Sequence, residues 1–168
     1  MNIELLPFST ETNIASNLIR KFWYVHSHYE QSIEDSLEDL KHWTAEGHIF
    51  YLIKYENKWI GFVHLGNRGA KIDWLEDLFI LPEYQGRGLG TQAILQVEAI
   101  VQKYSESLYI EAAARNEGAI RLYQKLGYDC LNTITVRKDF CPKHFETIRT
   151  EKIADQTFTV KKYIKSYV

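Results

Sequence analysis

Gln85-Gly86-Arg87-Gly88-Leu89-Gly90-Thr91 separates an apolar run ending in Leu78-Phe79-Ile80-Leu81-Pro82 from an amphipathic stretch with Ile94, Val97, Val101 and Tyr104 on one side. The order is a strand, a glycine-rich loop and a helix. Glycines at such a junction permit positive φ and close approach of a ligand to the backbone. Successive N–H groups then converge at a helix N-terminus, whose dipole favours an anion, above all a phosphate. A P-loop would need Gly-Lys-Ser/Thr, whereas Gly90 is followed by Thr91 and Gln92. A dinucleotide fingerprint fits Gly88, Gly90 and Ala93, with Glu111 near the place of a ribose-binding acid. The stretch Pro82 to Arg87 is too long for the tight turn that fingerprint needs, and a meander of strands precedes it. An ordinary strand-to-helix turn is the plain reading of the same glycines.

Toward the N-terminus, residues 3–8 read as a short strand. Ile14, Leu18, Phe22 and Val25 follow at helical spacing, with Ser9 or Thr10 as the N-cap. Ser32 and Asp35 resemble a capping box for a second helix with Ile33, Leu37, Leu40 and Trp43, which Gly47 ends. From His48 the period changes to alternation, giving a strand to Tyr55, a turn at Glu56-Asn57-Lys58 and a partner strand from Trp59 to Leu65. Asn67-Arg68-Gly69 is a second turn, into a strand from about Lys71 to Leu81. Beyond the glycine loop and its helix, Ser107–Ala113 reads as a buried strand and Asn116–Leu126 as a short helix closed by Gly127. Leu131–Val136 and Phe158–Ile164 complete the set as strands joined by a polar connection. A meander followed by crossovers predicts an α+β (mixed α/β) fold: one domain over 1–168 with a mixed, mostly antiparallel sheet and helices on both faces.

A second motif lies downstream, Asn116-Glu117-Gly118-Ala119-Ile120-Arg121-Leu122-Tyr123-Gln124-Lys125-Leu126-Gly127-Tyr128. It resembles the Asn-x-x-Ala-x-x-Leu-Tyr-x-Lys-x-Gly-Phe of the GNAT superfamily of acetyl-CoA-dependent N-acetyltransferases, with Tyr128 in place of Phe. Gln85, Gly88 and Gly90 resemble that family's Gln/Arg-x-x-Gly-x-Gly/Ala, and the order of elements is similar from end to end.

The resemblance implies acetyl-CoA as co-substrate and a sheet splayed where it binds. Main-chain groups of Leu78, Phe79 and Ile80 would bond the pantetheine, and Gln85, Gly86, Arg87, Gly88, Leu89, Gly90 and Thr91 would hold the pyrophosphate. Asn116 would be a further contact, although it also reads as a plain N-cap. Tyr123 corresponds to the family's general acid, which protonates the departing thiolate; a packed core tyrosine is the alternative. The base is open between Glu76, Asp77 and ordered water. Glu76 is preferred because polyamine-type members place a glutamate two residues before the equivalent of Leu78. Alternation predicts that Glu76 and Asp77 point to opposite faces. The implied reaction is direct attack of a primary amine, from a small molecule or a peptide. A non-catalytic acyl-CoA-binding or regulatory module is the rival reading.

The composition sets bounds on other functions. The 168 residues carry 20 basic and 22 acidic side chains, a net charge of −2, which gives no broad footprint for nucleic acid or an anionic membrane. Eight Phe, four Trp and eleven Tyr argue against disorder. Cys130 and Cys141 form no CxxC and suit reduced thiols in the cytoplasm, and Met1-Asn2-Ile3-Glu4 lacks the basic start of a signal peptide. His26 and His28 diverge on a helix, so no metal site is expected. Lys161, Lys162 and Lys165 read as a solvated basic edge. Glu30, Glu34, Asp35, Glu38 and Asp39 hint at a cationic acceptor such as a polyamine or aminoglycoside, and a solvated helix face explains them as readily. A homodimer is compatible with all of this.

Overall fold

Alternating apolar residues from His48 to Ile80 build the centre of the computed structural model, which describes residues 2–164. The chain divides into two compact units, Met1–Glu111 and Ala112–Val168. The first holds a five-stranded sheet in the order β1-β2-β3-β4-β5, formed by Glu4–Pro7, His48–Tyr55, Lys58–Gly66, Trp74–Ile80 and Tyr109–Ile110. Every neighbouring pair is antiparallel except β4 and β5, which are parallel. The β2–β3 hairpin turns on Glu56 and Asn57, both at positive φ (48° and 61°), the pattern of a two-residue turn that suits the strand twist.

Helices α1 (Thr12–Ser27) and α2 (Ile33–Trp43) cover one face of this sheet. Ala15, Leu18, Ile19 and Leu40 meet Phe50, Leu52, Phe62 and Phe79 there, with Phe22, Trp23 and Trp43 packed around them. Burying each such side chain stabilises the fold by about 1.5–3 kcal/mol. The helix α3 (Leu89–Val101) packs against β4 and buries Leu89, Ala93, Ile94, Val97 and Val101. Tyr51, Ile53, Val63 and Leu65 point away from the α1/α2 face by strand alternation and are buried. Helices thus cover both faces.

The second unit contains α4 (Glu117–Lys125) and a separate two-stranded hairpin of β6 (Phe145–Ile153) and β7 (Gln156–Tyr163). Asn116 caps α4 by accepting the Ala119 N–H at 3.1 Å. Arg149 of β6 donates to the Ala114 carbonyl at 2.8 Å and pairs with Glu117 at 3.2 Å.

Several expectations are corrected. Glu11, not Ser9 or Thr10, occupies the α1 N-cap position, and its carboxylate accepts the N–H groups of both. The strand expected at Lys71–Leu81 is Trp74–Ile80, and that at Ser107–Ala113 contracts to the half-buried Tyr109–Ile110. Leu131–Val136 forms no strand, and Leu131, Ile134 and Val136 are exposed. The polar connection supplies β6 instead, paired with the expected last strand. Its sequence, FETIRTEKI, lacks an apolar alternation because neither face is buried as core. Lys161 pairs with Asp139 and Lys162 with Glu146, while Lys165 lies outside the described residues.

Candidate active site

The glycine loop leaves β4 through a 3-10 turn at Pro82–Tyr84 and enters α3 at Leu89. Gln85 anchors it by donating Nε2 to the Ile80 carbonyl at 2.7 Å, and Arg87 donates to the Glu83 carbonyl at 2.8 Å. Gly86 and Gly88 hold positive φ (73° and 75°), and Gly88 is the α3 N-cap. Space is open within 4 Å in front of Gly86, Gly88 and Gly90. Leu89 is the loop's core anchor, 3% exposed, so any role at a ligand falls to its main chain. The first N–H groups of α3 lack intrahelical acceptors. The result is an exposed concentration of donors at the positive end of a thirteen-residue helix, suited to a phosphate.

The sheet splays beside this loop. The β4–β5 pairing among the described residues is limited to Trp74 with Tyr109 and Leu75 with Ile110. The main chain from Asp77 to Ile80 is paired on its β3 side and is not paired with β5. Phe79 belongs to the core and Ile80 is buried, so these apolar side chains serve packing while their main chain offers an edge.

Glu76 falls at a bulge. Asp77 pairs with His64 and Leu75 with Leu65, which leaves Glu76 as the extra residue. Bulged and following residues then share a face, contrary to the alternation expected for Glu76 and Asp77. A Cβ at Gly66 would lie 3.0 Å from Glu76 Cγ and 3.3 Å from His48 Nδ1. His64, two residues earlier on β3 and hence on the same face, bonds Asp77. Both Glu76 oxygens are engaged by Arg68, Oε1 at 3.1 Å and Oε2 at 2.7 Å. Arg68 also forks onto Glu111 at 2.7 and 3.0 Å and lies over the Trp74 ring, 3.8 Å from its centroid. These bonds raise the guanidinium above its already high ordinary pKa, led by Glu111, and hold the Glu111 carboxyl below the usual range.

Sequence reasoning missed the imidazoles beside Glu76. His48 Nδ1 lies 2.9 Å from His64 Nε2, and His64 Nδ1 lies 2.9 Å from Asp77 Oδ2. Trp43 stacks on His64 with centroids 4.8 Å apart and planes 13° from parallel. Burial first, and then His64, lower the His48 pKa. Counting outward from Glu56-Asn57 would bring Phe50 opposite Val63. A register shift between Ile53 and Lys54 brings Phe50 opposite His64 and His48 opposite Gly66 instead, and the sequence carries no signal for that shift.

In the second unit, Tyr123 on α4 is half-buried and its ring meets Tyr128 edge-on at 6.0 Å. Its hydroxyl has no hydrogen-bond partner among the described residues, and burial pushes its pKa above 10.0. Among the acidic residues near α2, Asp39 accepts Trp23 Nε1 at 2.8 Å and Gln31 Nε2 at 2.6 Å. Asp35 supplies the N–H that Ser32 caps, so the cluster is partly structural. His26 stacks on Phe22, and His28 closes α1 in a left-handed conformation. No helix among the described residues is long and apolar enough to cross a membrane.

A family model described as the acetyltransferase (GNAT) family matches residues 15–128. Spermine/spermidine N(1)-acetyltransferase of Bacillus subtilis (strain 168) is 31% identical over 115 residues, covering 60% of this chain and 70% of the relative. Thialysine N-epsilon-acetyltransferase of Mus musculus is 34% identical over 55 residues, 32% of each chain. A solved acetyltransferase from Thermus thermophilus covers 98% of both chains with a TM-score of 0.64 at 18% identity. The aminoglycoside acetyltransferase AAC(6')-Iy, solved with a CoA-based bisubstrate analogue of acetylneamine, covers 84% of this chain and 100% of its own, with a TM-score of 0.65 at 18% identity. At such identity the two structures bear on the fold alone.

Proposed function

The chain belongs to the GNAT family and is an acetyl-CoA-dependent N-acetyltransferase; from that premise we propose that it acetylates a primary amine of a small cationic molecule by direct attack. The observation that carries the reading is the open glycine loop at the N-terminus of α3, set beside the part of β4 not paired with β5. A pyrophosphate suits the loop's convergent donors, from Gln85, Gly86, Arg87, Gly88, Leu89, Gly90 and Thr91, and an extended pantetheine suits the main chain of Leu78, Phe79 and Ile80. Asn116, already the α4 cap, is a further cofactor contact in this reading.

The chemistry has three requirements. An acceptor ammonium with a pKa of about 10 must lose a proton before its nitrogen can attack. Glu76 is our choice to receive that proton, directly or through water, because its carboxylate stands at the bulge where β4 changes register. The amine then forms the N–C bond as the C–S bond breaks, the thiolate takes a proton from Tyr123, and the second proton shed by the acylated nitrogen returns to the phenolate. A phenol held above its ordinary pKa is fully protonated at neutral pH and suits that step. Neither cysteine stands at these positions, which fits attack without an acyl-enzyme. Residues 1–168 would work as one catalytic domain in the cytoplasm. The acceptor class rests on the relative that acts on spermine and spermidine and on the exposed carboxylates of Glu34 and Glu38.

The test is thiol release from acetyl-CoA with spermidine, kanamycin and a lysine peptide offered separately. Release with spermidine or kanamycin supports the reading. Release with the peptide alone moves the acceptor to protein amines. Tight acetyl-CoA binding with no release from any of the three favours the acyl-CoA-binding module.

A further inference from the structure

Asp77, His64 and His48 form a linear chain across three strands, with both links at 2.9 Å. An ionised carboxylate can only accept, so His64 Nδ1 carries the proton it donates to Asp77. With a single ring proton, placed on Nδ1, His64 offers Nε2 as an acceptor, and His48 Nδ1 is then the donor to it. His48 Nε2 is therefore left with a lone pair. That nitrogen has no hydrogen-bond partner among the described residues, and His48 is half-buried at the start of β2. His64 is 4% exposed beneath Trp43. The bond from His64 to Asp77 fixes the tautomer and orientation of the next imidazole.

We propose that His48 is the final acceptor of the proton that the substrate ammonium loses, with His64 and Asp77 as its positioning residues. The inference rests on the acetyltransferase reading and deepens its base. Both oxygens of Glu76 are already bonded by Arg68, whereas His48 Nε2 has no hydrogen-bond partner among the described residues. In the step, an ammonium N–H bond breaks and its proton passes by Glu76 or water to His48 Nε2, forming an N–H bond there. The imidazolium can share its charge by moving the Nδ1 proton toward His64 Nε2, against the Asp77 carboxylate. His48 afterwards returns the proton to solvent, which leaves the reaction balanced at one proton released per amide formed.

The groups facing His48 are His42 from α2, His64 from β3, and Glu76 and Asp77 from β4, with Arg68 and Glu111 behind Glu76. Burial, His64 and His42 favour the neutral imidazole, and Glu76 opposes them. The balance lowers the His48 pKa and so favours the neutral ring, in which the bond from Nδ1 to His64 leaves Nε2 bare.

The tautomer can be read without any acceptor, by two-bond 1H–15N spectra of the full chain at neutral pH. The expected pattern is His48 with Nε2 unprotonated and Nδ1 protonated; the reverse pattern overturns the proposal whether or not an acceptor is found. With an acceptor in hand, His48→Gln should lower kcat by about 10²-fold at neutral pH, with the KM for acetyl-CoA unchanged. Asp77→Asn should move the acidic limb of the rate profile downward, because the charge that stabilises the imidazolium is gone. Added imidazole should restore part of the activity of His48→Ala. A wild-type pH profile in a folded His48→Gln protein overturns the relay while leaving thiol release by the wild type, and so the acetyltransferase reading, intact.

Discussion

Arg68 holds Glu76 by both oxygens, Nε to Oε1 at 3.1 Å and Nη2 to Oε2 at 2.7 Å. The same guanidinium reaches Glu111 just beyond β5, and stacking on Trp74 fixes its plane. This fork joins the β3–β4 turn to the far side of β4 at the place where the sheet splays. Replacing Arg68 with Gln should cost about 1 kcal/mol or less, roughly 2–4 °C in Tm, because the network is partly exposed. The Glu111 pKa is depressed in the fold, so its contribution is present above 4.5 and is lost as pH falls through the lower folded value. The Tm difference between wild type and Arg68→Gln should therefore be full at pH 7 and shrink below about pH 4.5. A difference that grows on acidification would contradict this assignment.

The loop prediction uses Gly88. With φ at 75°, a β-branched residue is strained there, and its side chain would enter the open space in front of the donors. Gly88→Val should abolish the rise in melting temperature that acetyl-CoA gives the wild type by mass action, while the protein stays folded. Unchanged acetyl-CoA affinity in that variant would remove the loop from the binding site. NAD should give no stabilisation, and a rise with NAD alone would restore the dinucleotide reading.

Glu76→Gln keeps the size of the side chain and removes its charge. Activity at neutral pH should fall, and part of it should return at alkaline pH, where bulk water deprotonates the amine. An unchanged profile would transfer the first proton acceptance to ordered water.

Tyr123→Phe removes a hydroxyl that no described residue bonds, so Tm and acetyl-CoA affinity should stay near wild type. Turnover should drop by about 10²–10⁴-fold, the usual contribution of a positioned acid. Because burial raises the phenol above 10.0, wild-type kcat should show no loss of this acid until pH exceeds about 10. Wild-type turnover in a folded Tyr123→Phe protein would take Tyr123 out of the mechanism.

The sequence alone determined what depends on neighbours along the chain. The helix stripes, the Ser32 cap, the Glu56-Asn57 turn and the glycine junction at Gly86–Gly90 are local, so periodicity and backbone preference report them directly. The antiparallel centre of the sheet and the family resemblance follow from the same local marks. Only the tertiary structure decided matters that depend on pairing. FETIRTEKI became a strand because the turn at Ala154-Asp155, both at positive φ, folds it onto β7 rather than because a core demanded it. Glu76 and Asp77 came to share a face because β4 gains one residue against β3 between Leu65 and His64, and alternation cannot reveal an extra residue. His48 and His64 stand sixteen positions apart with ordinary strand neighbours. They become bonded partners only when the β2–β3 register lays one beside the other, and Asp77 joins them only through that bulge, because a hydrogen bond across strands is set by register and not by composition.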